Sequence, residues 1–187
     1  MLKRILGNWH RYVLWAVLSG IVWAWIIMLA TKTDASQKVT VYADLPVIRE
    51  EALELALERE KPDSIKYVEA NSFDNIIIDQ SAVLQGDLFL IPESKAETYL
   101  ASFAPIEDPE TLFPGQTFYE SDGKAYGIVV FDEPAGIWIG KEYVMYIAEE
   151  RCFLFFNKDS KHIGAWNGSP DDAAIVIAKN FLKLMED

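Results

Sequence analysis

"KVTVYADLPVIREEALELALEREKPDSIKYVEA", residues 38–70, is the stretch from which the fold class of this chain follows. Residues 38–44 are rich in β-branched and aromatic side chains and predict a strand. Residues 47–61 predict a helix that ends at Pro62, and residues 64–70 predict a second strand. The short connections between these elements predict parallel pairing of the strands through a right-handed crossover. The helix carries apolar side chains along one face: Ile48, Ala52, Leu55 and Ala56, widened by Leu53 and Leu57.

The same alternation continues beyond residue 70. Residues 73–84 predict a helix, the apolar run at 87–92 predicts a strand buried on both faces of a sheet, and residues 94–103 predict another helix. This pattern predicts a three-layer α/β domain with a mainly parallel sheet. The remaining predictions are a loop at 104–116, a hairpin at 117–131 that turns at Asp122-Gly123, strands at 143–148 and 152–157, and a closing helix at 170–186.

The beginning of the chain contains an uncharged, mostly apolar run at residues 12–31. As a helix this run is long enough to cross a hydrocarbon core of roughly 30 Å. The basic residues before it outnumber slightly those that follow closely, which favours a cytoplasmic N-terminus. A cleaved signal peptide stays open as the alternative. We therefore expect a single-pass protein of the cell membrane with a cytoplasmic segment at 1–11, a transmembrane helix at 12–31, a polar tether at 32–37 and an extracytoplasmic domain at 38–187.

Composition excludes several classes of function. The formal net charge is −12, and all 29 acidic residues follow Lys32, so the domain lacks the cationic surface that nucleic acid requires. Cys152 is the single cysteine, lies in an apolar run and is expected to be buried. With only two histidines besides, the chain offers no zinc site, and it contains no motif of a nucleotide-binding or hydrolytic enzyme. We expect no cofactor, no metal and no catalytic residue.

Several segments carry a family resemblance. VTVYADLP (39–46), IKYVEANSFD (65–74) and GDLFLIPES (86–94) resemble the first lobe of bacterial extracellular solute-binding proteins, the receptors of ABC importers with the type 2 periplasmic-binding fold. YESDGKAYGIVVFDEPAG (119–136) is similar to the stretch that passes towards the second lobe, and residues 153–182 look like a later strand and helix. Such receptors hold a ligand between two lobes, and this chain has length for one. The resemblance implies a single-lobe, membrane-tethered relative.

Candidate binding residues follow from the expected sheet, because ligands of open α/β sheets bind outside the carboxyl ends of the parallel strands. Asp44, Ser72 and Ser94 would also be explained as helix caps. Tyr42, Phe73, Trp138 and Trp166 could form an aromatic platform for a sugar ring or a partner protein. The candidate ligand-binding residues are Tyr42, Asp44, Asn71, Ser72, Phe73, Glu93 and Trp166.

The polar loop before the closing helix also contains a candidate binding residue, Trp166. Trp166 has no evident structural role in the sequence, and His162 is expected to be a surface residue or a local hydrogen-bonder. Ser169 and Asp172 are expected to cap the closing helix, with Pro170 at its first position.

Two functions are compatible with these features. One is a membrane-anchored, non-catalytic binding domain that takes a small solute such as a sugar and works with an ABC transporter permease. The other is a protein-interaction or scaffold module that has lost solute binding.

Overall fold

The computed structural model describes residues 9–31, 35–45, 47–72, 86–138, 143–145, 150–169 and 171–184. The chain divides into two compact units, Met1–Asp34 and Ala35–Asp187.

In the described part of the first unit the chain forms the helix α1 (Trp9–Thr31), which begins three residues before the predicted span. Its segment Arg11–Met28 is long and apolar enough to cross a membrane, and none of it is buried within the protein. Large apolar side chains such as Trp15 and Trp23 are exposed on it. Such a helix suits a lipid environment better than water. Of the predicted tether, Ala35–Gln37 forms a 3₁₀ turn and residues 32–34 lie outside the described residues.

The second unit is an α/β domain, and this class confirms the prediction. Its elements are β1 (Lys38–Ala43), β2 (Val47–Ile48), α2 (Glu50–Glu58), β3 (Tyr67–Ser72), β4 (Leu88–Pro92), α3 (Glu93–Tyr99), a 3₁₀ turn (Leu100–Ser102), α4 (Pro109–Leu112), β5 (Phe118–Ser121), β6 (Lys124–Asp132), β7 (Ile137–Trp138), β8 (Val144–Met145), β9 (Cys152–Phe156) and α5 (Ala173–Lys183).

The main sheet has the strand order β3-β1-β4-β9-β6-β5, and the short β7 pairs with β6. Only β3, β1 and β4 are parallel neighbours; β9 is antiparallel to both β4 and β6, and β5 and β7 are antiparallel to β6. The prediction of a mainly parallel sheet is therefore wrong, because the sheet is mixed. The parallel part comes from the strand–helix–strand unit, and the antiparallel part comes from the hairpin and the last strand.

The predicted hairpin is confirmed, with Asp122 and Gly123 both at positive φ in its turn. The predicted helix at 47–61 is shorter, because Val47 and Ile48 pair with Met145 and Val144 and the helix begins only at Glu50. Other bounds also differ: the predicted loop at 104–116 contains α4, and the closing helix begins at Ala173. The predicted helix at 73–84 and residues 146–148 of a predicted strand lie outside the described residues.

Apolar side chains cover both faces of the sheet. On one face, Leu88 and Leu90 of β4 pack in a cluster with residues of α2 and α5, including Leu53 and Phe181. On the other face, the alternate β4 residues join a second, aromatic-rich cluster with Ala96 of α3 and Phe103. Alternation of side chains along a strand explains this division. Helices α2 and α5 thus lie on one face and α3 on the other.

Candidate functional site

An ion pair lies at the carboxyl ends of β1 and β4, where the sheet places its candidate binding residues. Lys95 of α3 donates to both carboxylate oxygens of Asp44, each at 2.8 Å. The Asp44 side chain is only 9% exposed, whereas that of Lys95 is 51% exposed. The backbone N–H of Asp44 donates to the carbonyl of Leu90 at 2.8 Å. Asp44 is therefore fixed between two strand ends, and the prediction that it caps a helix is wrong, because α2 begins six residues later.

A second pair of opposite charges lies beside the same strand ends. Arg151, directly before β9, contacts both carboxylate oxygens of Glu93, with Nε at 3.0 Å from Oε2. Glu150 accepts a hydrogen bond from the backbone N–H of Ser94 at 3.1 Å. Pro92 is the residue before α3, so Ser94 is not its cap. The two acidic candidates of this edge, Asp44 and Glu93, are thus both held by basic side chains.

The other strand-end candidates lie within strands or outside the described residues. Tyr42 is in β1, and its ring stacks on Phe89 with centroids 5.6 Å apart. Burial raises the pKa of Tyr42. Asn71 and Ser72 are the last residues of β3 and lie opposite Tyr42 and Ala43. The helix that Ser72 is predicted to cap, at 73–84, lies outside the described residues, so this role stays a prediction. Phe73 lies outside the described residues.

Trp166 has a structural role that the sequence did not indicate. It adopts a φ of +53°, in the left-handed region that non-glycine residues rarely occupy. Its ring packs edge-on against Phe156 with centroids 5.1 Å apart, and it is half-buried against the larger core cluster. Trp138, the other tryptophan of the expected platform, lies in β7, and its backbone pairs with that of Phe131 in β6. Tyr42 and Trp166 pack in different clusters, so these two do not form one platform.

The loop before α5 is built around the carboxylate of Asp172. This side chain is fully buried and accepts hydrogen bonds from the backbone N–H groups of Ala165, Asn167 and Gly168 at 2.9, 2.7 and 3.0 Å. Asp172 is the N-cap residue of α5 by position, but its side chain makes no cap hydrogen bond to the helix. The prediction that Ser169 and Asp172 cap the helix with their side chains is wrong. Pro170 lies outside the described residues.

A buried polar network lies at the amino end of β4, at the other end of the parallel strands from Asp44 and Glu93. It was not predicted from the sequence. Asp87 accepts hydrogen bonds from the backbone N–H of Thr40 at 2.9 Å and from the Ser160 hydroxyl at 2.6 Å. Burial raises the pKa of the Asp87 carboxyl, and these hydrogen bonds oppose that effect. His162 is only 6% exposed, so of its two expected roles the surface residue is wrong and the local hydrogen-bonder is left. Its backbone N–H donates to the Ser160 hydroxyl oxygen at 3.0 Å.

A groove of about 330 Å³ lies between α2 and β3. Leu55 and Tyr67 both line it, with exposures of 66% and 51%. In the described part of the second unit, these two are the large apolar side chains that are most exposed to solvent. Sequence reasoning placed Leu55 on the buried face of its helix, and that prediction is wrong, because the helix buries Leu53, Ala56 and Leu57 instead. The other lining residues are Val68 and four glutamates, Glu51, Glu54, Glu58 and Glu69.

Comparison with known proteins gave no relative. No protein-family model and no curated protein matches the sequence, and no solved structure matches the fold. The resemblance to solute-binding proteins therefore rests on the residues quoted above and stays a prediction.

Gly164 gives a test of the loop around Asp172. A Cβ atom at Gly164 would lie 1.8 Å from the Asp172 carboxylate, whereas one at Gly136 would meet nothing within 4 Å, although both glycines have positive φ. We expect Gly136→Ala to cost about 1–2 kcal/mol of unfolding free energy from backbone conformation alone. Gly164→Ala should cost more, because the displaced, buried Asp172 carboxylate loses its hydrogen bonds to part-buried N–H groups, and a hydrogen bond to a charged group contributes about 1.5–3 kcal/mol.

The measurement is urea unfolding of the full chain in detergent, followed by tryptophan fluorescence. Equal losses of unfolding free energy in the two variants would contradict the role assigned to Asp172.

Proposed function

We propose that this protein is a membrane-anchored, non-catalytic protein-interaction module whose binding surface is the groove between α2 and β3. The observation that carries the proposal is that Leu55 and Tyr67, two exposed apolar side chains, line the same groove. Exposed apolar side chains that cluster in a concave surface with a charged surround are typical of protein-binding sites. Tyrosine is also among the residues enriched at protein interfaces.

The charge around these two side chains defines the partner. Glu51, Glu54, Glu58 and Glu69 surround the apolar pair, and Lys38 and Lys61 each neutralise only one of them, through Glu69 and Glu58. A partner with complementary charge presents an apolar side chain flanked by lysine or arginine. Charge complementarity of this kind favours fast association and suppresses acidic partners.

A small-solute site is the second candidate, and the position of the Asp44–Lys95 pair favours it. This pair lies at the carboxyl ends of neighbouring parallel strands, which is where open α/β sheets bind their ligands. A sugar bound there would have to compete with Lys95 for the Asp44 carboxylate. Because both Asp44 and Glu93 already have cationic partners, we rank this candidate below the interaction module.

Site-specific photo-crosslinking tests the groove. A photoreactive residue at Glu51, which lines the groove, should crosslink the full chain in its membrane to a protein segment rich in lysine or arginine. The same residue at Asp122, at the tip of the β5–β6 hairpin, is the matched control and should give no such product. Leu55→Ala with Tyr67→Ala should remove most of the product from position 51 without lowering stability, because both side chains are exposed.

Mass spectrometry of the crosslinked peptide decides the outcome. An acidic segment, a second copy of this chain, or a product that persists in the double alanine variant would contradict the proposed groove. A sugar or amino acid that raises the melting temperature of the protein, and no longer does so after Lys95→Ala, would favour the solute site instead.

The orientation of the chain belongs to the same proposal: α1 crosses the cell membrane once, with residues 1–11 in the cytoplasm and the α/β domain outside it. The length and apolar surface of α1 support the crossing, and the basic residues before it support the direction.

Thiol labelling of intact cells tests this orientation, because the wild-type chain itself should not be labelled. Cys152 is buried, and burial raises the pKa of its thiol to about 12, so the wild-type chain should not react with a membrane-impermeant maleimide until it is unfolded. Asp63→Cys, at an exposed position after α2, should be labelled on intact cells. Lys3→Cys should be labelled only after lysis. The reverse pattern would contradict the proposed orientation.

A further inference from the structure

Strand β3 is one edge of the main sheet, since β1 is its only neighbour in the described strand order. An edge strand normally presents a row of unpaired backbone N–H groups to solvent. Here three alternate N–H groups on the outer side of β3 are bonded to side chains of α2. Val68 donates to Glu58 at 3.3 Å, Ala70 to Glu54 at 2.9 Å and Ser72 to Glu50 at 3.0 Å. We call these three acidic residues the glutamate row.

The geometry of the two elements explains why one helix can serve three successive donors. Residues four apart in a helix are separated by about 6 Å along its axis. Alternate residues of a strand are separated by roughly 6.6 Å. Glu50, Glu54 and Glu58 therefore advance along α2 in nearly the same steps as the outward N–H groups advance along β3. The two elements run in opposite directions, because the earliest glutamate bonds the latest strand residue.

We propose that the glutamate row closes the β3 edge, and that its removal lets two copies of this chain join through antiparallel pairing of their β3 strands. Ala70 is the middle one of the three outward donors, and Val68 and Ser72 lie two residues away on either side of it. An antiparallel pair of identical strands centred on Ala70 would therefore match donors with acceptors by two-fold symmetry. In the wild type the side-chain carboxylates already occupy those donors.

Charge adds to the same effect. Helix α2 carries Glu51 beside the three residues of the glutamate row, and Glu60 follows it. Two copies that approach through this edge would bring these acidic side chains together, although Lys61 and Lys183 pair with Glu58 and Glu60 and offset part of the repulsion. Charged side chains on a sheet edge are a known means by which proteins avoid edge-to-edge association.

Hydrogen–deuterium exchange of the full chain in detergent tests the proposal. In Glu50→Ala/Glu54→Ala/Glu58→Ala, the amides of Val68, Ala70 and Ser72 should exchange roughly tenfold faster or more at low protein concentration, because each loses a hydrogen bond to a charged group. At high protein concentration their protection should return, and the protein should run as a larger species. The loss of these carboxylates does not remove a buried apolar contact, since α2 packs through Leu53, Ala56 and Leu57.

Two matched variants separate the hydrogen bonds from charge. The triple glutamine variant keeps an acceptor oxygen at each position and should retain the slow exchange of the wild type. The variant Glu97→Ala/Glu107→Ala/Glu110→Ala removes the same number of exposed carboxylates elsewhere and should also behave as the wild type. Should the triple alanine variant of the glutamate row lose protection throughout the sheet, Glu54→Ala alone carries the same test at Ala70.

Three outcomes would overturn the inference. One is unchanged exchange of the β3 amides in the alanine variants. Another is the same acceleration in the glutamine variant. The last is faster exchange without any return of protection as the protein concentration rises.

Discussion

The described domain depends on the insertion of its last strand into the middle of the sheet. All five residues of β9 are buried, and the strand pairs with β4 on one side and with β6 on the other. In the described strand order, β9 is the link between the parallel group β3-β1-β4 and the β6–β5 hairpin. Its alternate side chains pack in different clusters, with Leu154 and Phe156 on one face and Phe153 and Phe155 on the other. One segment near the end of the chain thus completes both cores.

The two ends of β9 also position the polar groups on which the functional argument rests. Arg151, directly before the strand, is brought beside Glu93 at the carboxyl end of β4. Asn157, directly after it, donates from its side chain to the carbonyl of Gly86 at 2.6 Å, next to the buried Asp87. Asp44 and Glu93, at the carboxyl ends of the parallel strands where such sheets usually bind ligands, are thus both held in ion pairs. In the described part of the second unit, the most exposed large apolar side chains, Leu55 and Tyr67, line the groove between α2 and β3, and the proposal of a protein partner rests on this contrast.

The sequence was sufficient for local structure but not for its tertiary environment. The longer strands, the Asp122-Gly123 turn and the α/β class follow from local patterns, and these were predicted. The short β7 was not, and β2 was predicted as part of a helix. The neighbours of β9 were not, because a short, wholly apolar run has the same sequence pattern in a parallel as in an antiparallel sheet. Leu55 was placed inside because apolar positions surround α2 on more than one face, and only packing selects Leu53 and Leu57. Trp166 was assigned to binding because it lies in a polar, Gly-flanked loop, and its left-handed backbone and its packing on Phe156 leave no signal in the sequence.

The role of β9 as the join between the two halves is tested most directly by native-state hydrogen exchange of the full chain in increasing denaturant. The amides of β9 should be the slowest in the domain, and those of β1, β4 and β6 should open with the same free energy and the same denaturant dependence. If the β5–β6 hairpin opens at lower free energy while β9 stays protected with β4, or if β9 opens before its neighbours, the two halves do not depend on this strand and the account is contradicted.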